Sequence, residues 1–228
     1  MSLTFRSEPE RPKRRRQTFL SRDEIVEAAA TILERDGYDA LNMRSVAAEI
    51  GVQAASLYRY VKNRAELDDF LFDHLMADCR AKLVGKDWRA HVRSIANAWR
   101  ARLVGKRDAT RIAINQVSIG PNVLPLMEAS LSALRKSGLN DRDLIEAYQT
   151  CVLFVHSFAT SEASYKSLLA RNERSAPRFS PIKPEWIKPF PTLASLATQM
   201  ARPVDFDRRF AFGLNVLIAG FEQQALRK

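Results

Sequence analysis

Asn42-Met43-Arg44-Ser45-Val46-Ala47-Ala48-Glu49-Ile50-Gly51-Val52, followed by Gln53-Ala54-Ala55-Ser56-Leu57-Tyr58-Arg59-Tyr60-Val61-Lys62-Asn63-Arg64, is the stretch that decides the fold. Asn42 is a good helix cap, Val46, Ala47 and Ile50 share one face of a helix of barely two turns, and Gly51 supplies the turn that ends it. A third short helix is expected over Ala54–Val61, with Leu57 and Val61 inward. Upstream, Ser21-Arg22-Asp23-Glu24 has the form of a capping box, and Ile25, Ala28, Ala29, Ile32 and Leu33 recur at helical spacing until Gly37. This predicts a first helix over Arg22–Asp36. Downstream, Asn63-Arg64-Ala65-Glu66 opens a fourth helix. Three short helices within about forty residues, with glycine at the middle turn, form a unit of helix-turn-helix type.

Beyond this unit the pattern is that of longer helices. Leu67, Phe70, Leu71, Leu75 and Met76 continue a stripe out of the small unit, and helical stretches follow at Trp88–Val104, Val123–Ser137, Asp141–Arg171, Pro191–Ala201 and Phe206–Leu226. Six of the ten prolines lie between Pro177 and Pro203, glycine is scarce at 8 residues, and no hairpin signal or internal repeat is present. The expectation is an all-α protein, with 172–190 a loop. A basic arm over 1–20, a helix-turn-helix domain over 21–66 and a larger helical-bundle domain over 67–228 divide the chain.

The 228 residues carry a formal charge of +10, which favours polyanionic partners without naming one. Residues 1–22 hold seven basic side chains, among them Arg14, Arg15 and Arg16, against Glu8 and Glu10. That run is not followed by an apolar stretch, so it does not read as an export signal, and the apolar run Ala211–Phe221 is about half a membrane span. A soluble, cytoplasmic protein is expected. Cys79 and Cys151 have neither the number nor the spacing of a disulfide framework or a zinc site and read as packing residues.

The segments Met43–Val52 and Ser56–Arg64 together closely resemble the TetR family of bacterial transcriptional regulators, over about residues 20–70. The chemistry of the residues suits that role independently. A helix enters the major groove only where its leading side chains are short or reach outward to base edges. Gln53 suits adenine, Ser56 a base or a phosphate, and the methyls of Ala54 and Ala55 suit thymine methyls. Arg44 reaches either guanine or the backbone, and Tyr58, Tyr60 and Lys62 suit phosphates. Tyr58 divides between core and contact, Arg59 between phosphate and solvent, while Leu57, Val61, Val46 and Ile50 read as core. The resemblance also implies a phosphate or minor-groove contact for Arg14-Arg15-Arg16.

Phe210 to Glu222 looks like the last helix of the tetracycline-repressor class within that family. The resemblance implies a four-helix dimer interface built from about Asp141–Arg171 and Phe206–Leu226, with Phe210, Leu214, Leu217 and Phe221 supplying apolar area and Gly213, Ala219 and Gly220 close approach. A homodimer on a two-fold axis would read a palindromic operator, its heads about 34–36 Å apart, and a small-molecule effector would change that spacing. Members of the class hold a magnesium–drug chelate through a mid-domain histidine and an acid on the long helix. Here Ile112-Ala113-Ile114-Asn115 contains no histidine and Glu162 is out of register, so no tetracycline, magnesium or other metal site is carried over and no cofactor is expected. Trp99, Arg102, Asn115, Gln116, Phe154, His156, Phe158 and Tyr165 are the pocket candidates, each equally an ordinary packing residue.

An enzyme is disfavoured, because His74, His91 and His156 are isolated and no phosphate loop, nucleophile elbow or metal-spaced cluster occurs. A ligand-responsive repressor is the default among regulators, with an activator of the same fold or a nonspecific DNA-binding protein as alternatives.

Overall fold

The computed structural model describes residues 20–77, 79, 86–114, 118–171 and 183–227. The arm residues Arg14, Arg15 and Arg16 and the pocket candidates Asn115 and Gln116 lie outside the described residues, as does 172–182 of the expected loop.

Among the described residues the regular structure is entirely helical, in the order α1 (Arg22–Asp36), a single 3-10 turn (Tyr38–Ala40), α2 (Met43–Ile50), α3 (Ala54–Leu57), α4 (Arg64–Met76), α5 (Trp88–Gly105), α6 (Ala109–Ile114), α7 (Leu124–Arg135), α8 (Asp141–Arg171), α9 (Pro184–Ile187), α10 (Pro191–Met200) and α11 (Phe206–Ala225). The caps explain the starts. Ser21 Oγ accepts from Glu24 N at 3.1 Å, and Asn63 Oδ1 accepts from Glu66 N at 2.9 Å. At α2, Asn42 Oδ1 accepts from Ser45 N at 3.0 Å while Ser45 Oγ accepts from Asn42 N at 2.9 Å, a complete reciprocal box. Gly51 ends α2 in the left-handed region at φ 82°, which a side chain would strain.

Three expectations need correction. α3 stops at Leu57 rather than Val61, because the amides of Tyr60 and Val61 both turn back onto Leu57 O, closing a tighter turn that still buries Val61. The six-residue α6 was not expected, since one and a half turns carry too little periodicity to register. The expected loop over 172–190 contains α9, started by Pro184 at a helix's first position.

Helices α1 to α3 close a small core around Ile25, Ile32, Leu33, Val46 and Leu57, each at most 1% exposed. α4 carries that core onward through Leu67, Leu71 and Phe72 and packs against α6, beside the bundle of α5, α7 and α8. The turn before α7 is fixed to α4 by Asp73, whose carboxylate accepts from Asn122 N at 2.9 Å, Val123 N at 3.1 Å and Asn122 Nδ2 at 2.8 Å. Gly120 lies hard against it: a Cβ there would sit 2.2 Å from Asp73 Cγ. Gly120→Ala should therefore lower stability by about 1–3 kcal/mol through overpacking. Chemical denaturation checks this, and an unchanged midpoint would contradict it.

Candidate nucleic-acid interface and effector cavity

The register that buries Leu57 under α3 also sets Ala54 against the core and turns Ala55 outward. Gln53 and Ala55 are exposed, Ala54 and Ser56 half-buried, and Gln53, although it precedes α3, makes no side-chain capping bond. Arg44 is exposed in the first turn of α2, Tyr58 is 54% exposed, Lys62 is exposed and Tyr60 is half-buried. All these candidates thus lie on one short helix, the turn after it and the start of its predecessor, over a core made by Val46, Leu57 and Val61. The geometry is that of a convex reading head: a fixed apolar underside, and an outer surface of short and polar side chains.

A second set of contacts, which the sequence pattern gave no sign of, attaches this head to the rest of the chain. Tyr38, in the turn after α1, donates its hydroxyl to Asp68 of α4 at 2.7 Å and its amide to Asp108 at 2.9 Å. The guanidiniums of Arg64 and Arg111 lie 4.5 and 4.8 Å from its ring centroid. Arg64 Nε donates to Asp68 at 2.8 Å, and Arg111 of α6 grips Asp39 with two bonds of 3.0 and 2.6 Å, holding that carboxyl below its ordinary range. Arg107 donates to Glu34 O and Arg35 O at the end of α1, and Asp108, which holds Tyr38, has a positive φ of 53°. Head, α4 and the α5–α6 corner therefore meet at one tyrosine.

Between α5, α7 and α8 the larger unit holds a small, partly open cavity of about 20 Å³, lined by Ile95 and Trp99, by Leu134 and by Tyr148, Cys151 and Val155 among others. Its one hydroxyl from α7, Ser130, is spent on Leu126 O at 2.7 Å. Burial pushes the Cys151 thiol up to about 12, so that it stays protonated. Cys79 is likewise raised to about 11. Next to the cavity, His156 meets Trp99 edge to face with centroids 5.1 Å apart, and Phe72 of α4 lies 6.2 Å away on the same ring. Trp99 Nε1 and His156 Nε2 are buried with no hydrogen-bond partner among the described residues.

The other pocket candidates fall elsewhere. Arg102 faces an open groove against α1 and α4 and donates to Leu75 O. Phe154, Phe158 and Tyr165 join Phe206 and Phe210 in an aromatic cluster where α11 crosses α8, with Phe154 stacked on Phe210 at 5.2 Å. Arg100 is buried beside that cluster, 2.7 Å from Glu162 and 2.9 Å from Asp207, with its guanidinium over Phe158 and Phe210. Burial alone would raise the Glu162 carboxyl, but hydrogen bonds from Arg100 and Lys166 bring it below its ordinary value. Its oxygens are thus already engaged. Among the described residues no group of three His, Cys, Asp or Glu side chains is placed to hold a metal ion.

The interface candidates on α11 divide as well. Phe210 and Leu214, each 1% exposed, pack into their own chain, and Gly213 admits Phe154 at 2.7 Å from where its Cβ would be. Leu217 and Phe221 are half-buried, whereas Phe212 (72% exposed) and Val216 point outward together with Leu153 on α8. α11 is apolar on most of its circumference, so helical periodicity did not separate the inward stripe from the outward one.

Set beside known proteins, residues 25–67 match the family model described as bacterial regulatory proteins, tetR family, and residues 83–225 match that of the tetracyclin repressor-like C-terminal domain. The chain is 31% identical over 222 residues to the HTH-type transcriptional repressor DrrR1 of Streptomyces coeruleorubidus, covering 93% of this chain and 81% of that one. It is 27% identical to the class D tetracycline repressor protein of Escherichia coli, over 90% of each chain. The crystal structure of Streptomyces coelicolor ActR in complex with actinorhodin superposes with a TM-score of 0.78 at 33% identity, covering 91% of this chain and 99% of that one. The chain belongs to the TetR family. It is a helix-turn-helix, DNA-binding transcriptional regulator, and no helix among the described residues is long and apolar enough to cross a membrane.

The buried histidine gives this site a pH signature. Burial lowers the His156 pKa from 6.5 to about 4, so between those values the unfolded chain binds a proton that the folded one refuses. Stability is therefore lost as pH falls through that window, by about 2 kcal/mol between pH 7.5 and pH 5 from this group. Urea denaturation at the two pH values should show a correspondingly smaller loss in His156→Leu, and equal losses in both proteins would contradict the assignment.

Proposed function

We propose that this regulator is a ligand-responsive repressor that binds a palindromic operator as a homodimer and leaves it when a small molecule occupies the larger domain. The observation that carries the reading is the tyrosine-centred junction: the head is bonded to the corner between α5, which lines the cavity, and α6. A ligand that favours a different setting of α5 shifts the population of head positions by its differential affinity for the two settings. The names of DrrR1 and the tetracycline repressor, and the ActR–actinorhodin complex, support the repressor sense and the small-molecule effector. The domains are the basic arm 1–20, the head 21–66 and the effector and dimerisation domain 67–228, and the protein works in the bacterial cytoplasm with no catalytic role.

On this reading Gln53, Ala54, Ala55 and Ser56 meet base edges, Arg44 a guanine or the backbone, and Tyr58, Tyr60 and Lys62 the phosphates, with Arg14, Arg15 and Arg16 following the backbone or minor groove. The effector binds the larger domain around Trp99 and His156. Dimerisation pairs α8 and α11 with their copies through the outward Phe212, Val216 and Leu153, with Leu217 and Phe221 at the margin. Phe210 and Leu214 act one layer beneath, setting the α8–α11 crossing.

The test is selection from a random duplex library with purified protein at physiological salt. A short inverted repeat is the expected product, and binding without sequence preference that fades uniformly with salt would overturn the proposal in favour of nonspecific packaging. On the selected site, replacing Arg14, Arg15 and Arg16 by alanine should weaken binding to specific and random duplexes alike and reduce the salt slope by about one per lost phosphate contact. An unchanged slope rejects the arm contact. Placing aspartate at Phe212 and Val216 together should yield a folded monomer by sedimentation equilibrium, and a persisting dimer rejects that face.

A further inference from the structure

The far end of α1 is completed by a distant part of the chain. The last carbonyls of a helix have no partner within it and need one from outside. Gly37 N–H donates to Ile32 O and Leu33 O at 3.3 and 3.0 Å. The next two, Glu34 O and Arg35 O, accept from a single nitrogen of Arg107, Nη1, at 3.0 and 2.6 Å, from 73 and 72 residues away in sequence. Arg107 stands in the corner between α5 and α6, its charge suits the negative end of the α1 dipole, and it lies close on Gly37, where a Cβ would sit 3.0 Å from Nη2. The helix end so capped reaches on to the helix-turn-helix. Arg35 grips Glu49, in the last turn of α2, from Nη1 to Oε1 at 3.3 Å and from Nη2 to Oε2 at 2.9 Å, while its Nε donates to Asp36 at 2.9 Å. At the other end of α2, Ser45 Oγ bonds Ala40 O at 2.9 Å. Apolar contact through Val46 and Ala47 keeps α2 on α1 but is non-directional, so the setting of this two-turn helix falls to the polar bonds at its ends.

We infer that Arg107 and Arg35 are positioning residues for operator reading: Arg107 sets the end of α1 from the corner of the larger domain, and Arg35 passes that setting through Glu49 to α2, which leads over Gly51 into α3. The relay is separate from the Tyr38 junction, which ties the turn after α1 to α4 and to Asp108 and makes no bond to α2. Arginine suits the second link because its fork meets a carboxylate at two points and so fixes direction as well as distance. Glu49 needs that partner, since an unpaired carboxylate in the last turn of a helix faces the negative end of the dipole. The pair stands largely in water, with the Arg35 side chain 54% and that of Glu49 30% exposed, so it contributes orientation and little fold stability. The inference rests on the DNA-binding role of the chain and not on its proposed response to a small molecule.

Hydrogen exchange followed by mass spectrometry on the full chain, together with binding to the selected operator and to random duplex, tests this. Arg107→Ala should speed exchange about threefold or more over residues 42–52, to which Arg107 makes no hydrogen bond, while exchange in α8 stays unchanged as the control for an intact fold. Arg35→Gln should do the same, and the double variant Arg107→Ala/Arg35→Gln no more than either alone, because all three break one chain of contacts. Operator affinity should fall about fivefold in each single variant, the upper scale of an exposed ion pair, and by no more than about fivefold in the double, with random-duplex binding changed by about twofold or less. Independent effects would instead multiply to about 25-fold. Exchange that rises only over residues 34–41, losses that multiply in the double variant, or equal losses on operator and random duplex would overturn the inference. A library that yields no operator sinks the parent reading alone, and the exchange pattern then decides the relay.

Discussion

The structure turns on Tyr38. Its hydroxyl, backbone amide and ring are all engaged, by Asp68, by Asp108 and by the Arg64 and Arg111 guanidiniums, so a single residue joins the small helical head to two separate parts of the larger unit. A head of three short helices has little core of its own, and its position relative to the body would otherwise depend on α4 alone. The polar junction adds directional bonds to that apolar continuity. Directionality is what a regulator needs here, because operator affinity depends on where two heads sit, not only on whether they are folded.

The body balances two kinds of order. On the α11 side, buried Arg100 is neutralised by Glu162 and Asp207 and covered by Phe158 and Phe210, an arrangement in which each charge has its partner. On the α4 side, Trp99 and His156 keep polar atoms without partners beside an apolar hollow.

Much of this was legible in the sequence, and what was not has physical reasons. Caps and glycine stops at Ser21, Asn42, Gly51 and Asn63 located α1, α2 and the start of α4, while α3, which has no side-chain cap, ended four residues before its expected end; the apolar pattern of Asp141–Arg171 gave α8 with its observed bounds. The exposure of Gln53 and Ala55 followed from the inward position of Leu57, whereas Ala54, three residues before it, shares its face and packs on the core. Tyr38, Asp108 and Arg111 were missed because their partners lie 30 to 72 residues away, and a polar junction between elements leaves no periodic trace. Helical spacing also failed to tell Phe210 from Phe212, since both stripes of α11 are apolar and only tertiary packing decides which is core. His156 and Trp99 were visible as candidates, but their missing partners became apparent only once the chain was folded.

The central claim is that the Tyr38 junction, not α4 alone, sets the spacing of the two heads. Electron–electron double resonance on a dimer spin-labelled at exposed Ala48→Cys, with Cys79 and Cys151 replaced by alanine, measures that spacing directly. A single narrow distance distribution that broadens markedly in Asp108→Ala/Arg111→Ala, with the fold and the dimer intact, is the predicted result; a distribution of unchanged position and width in that variant would contradict it.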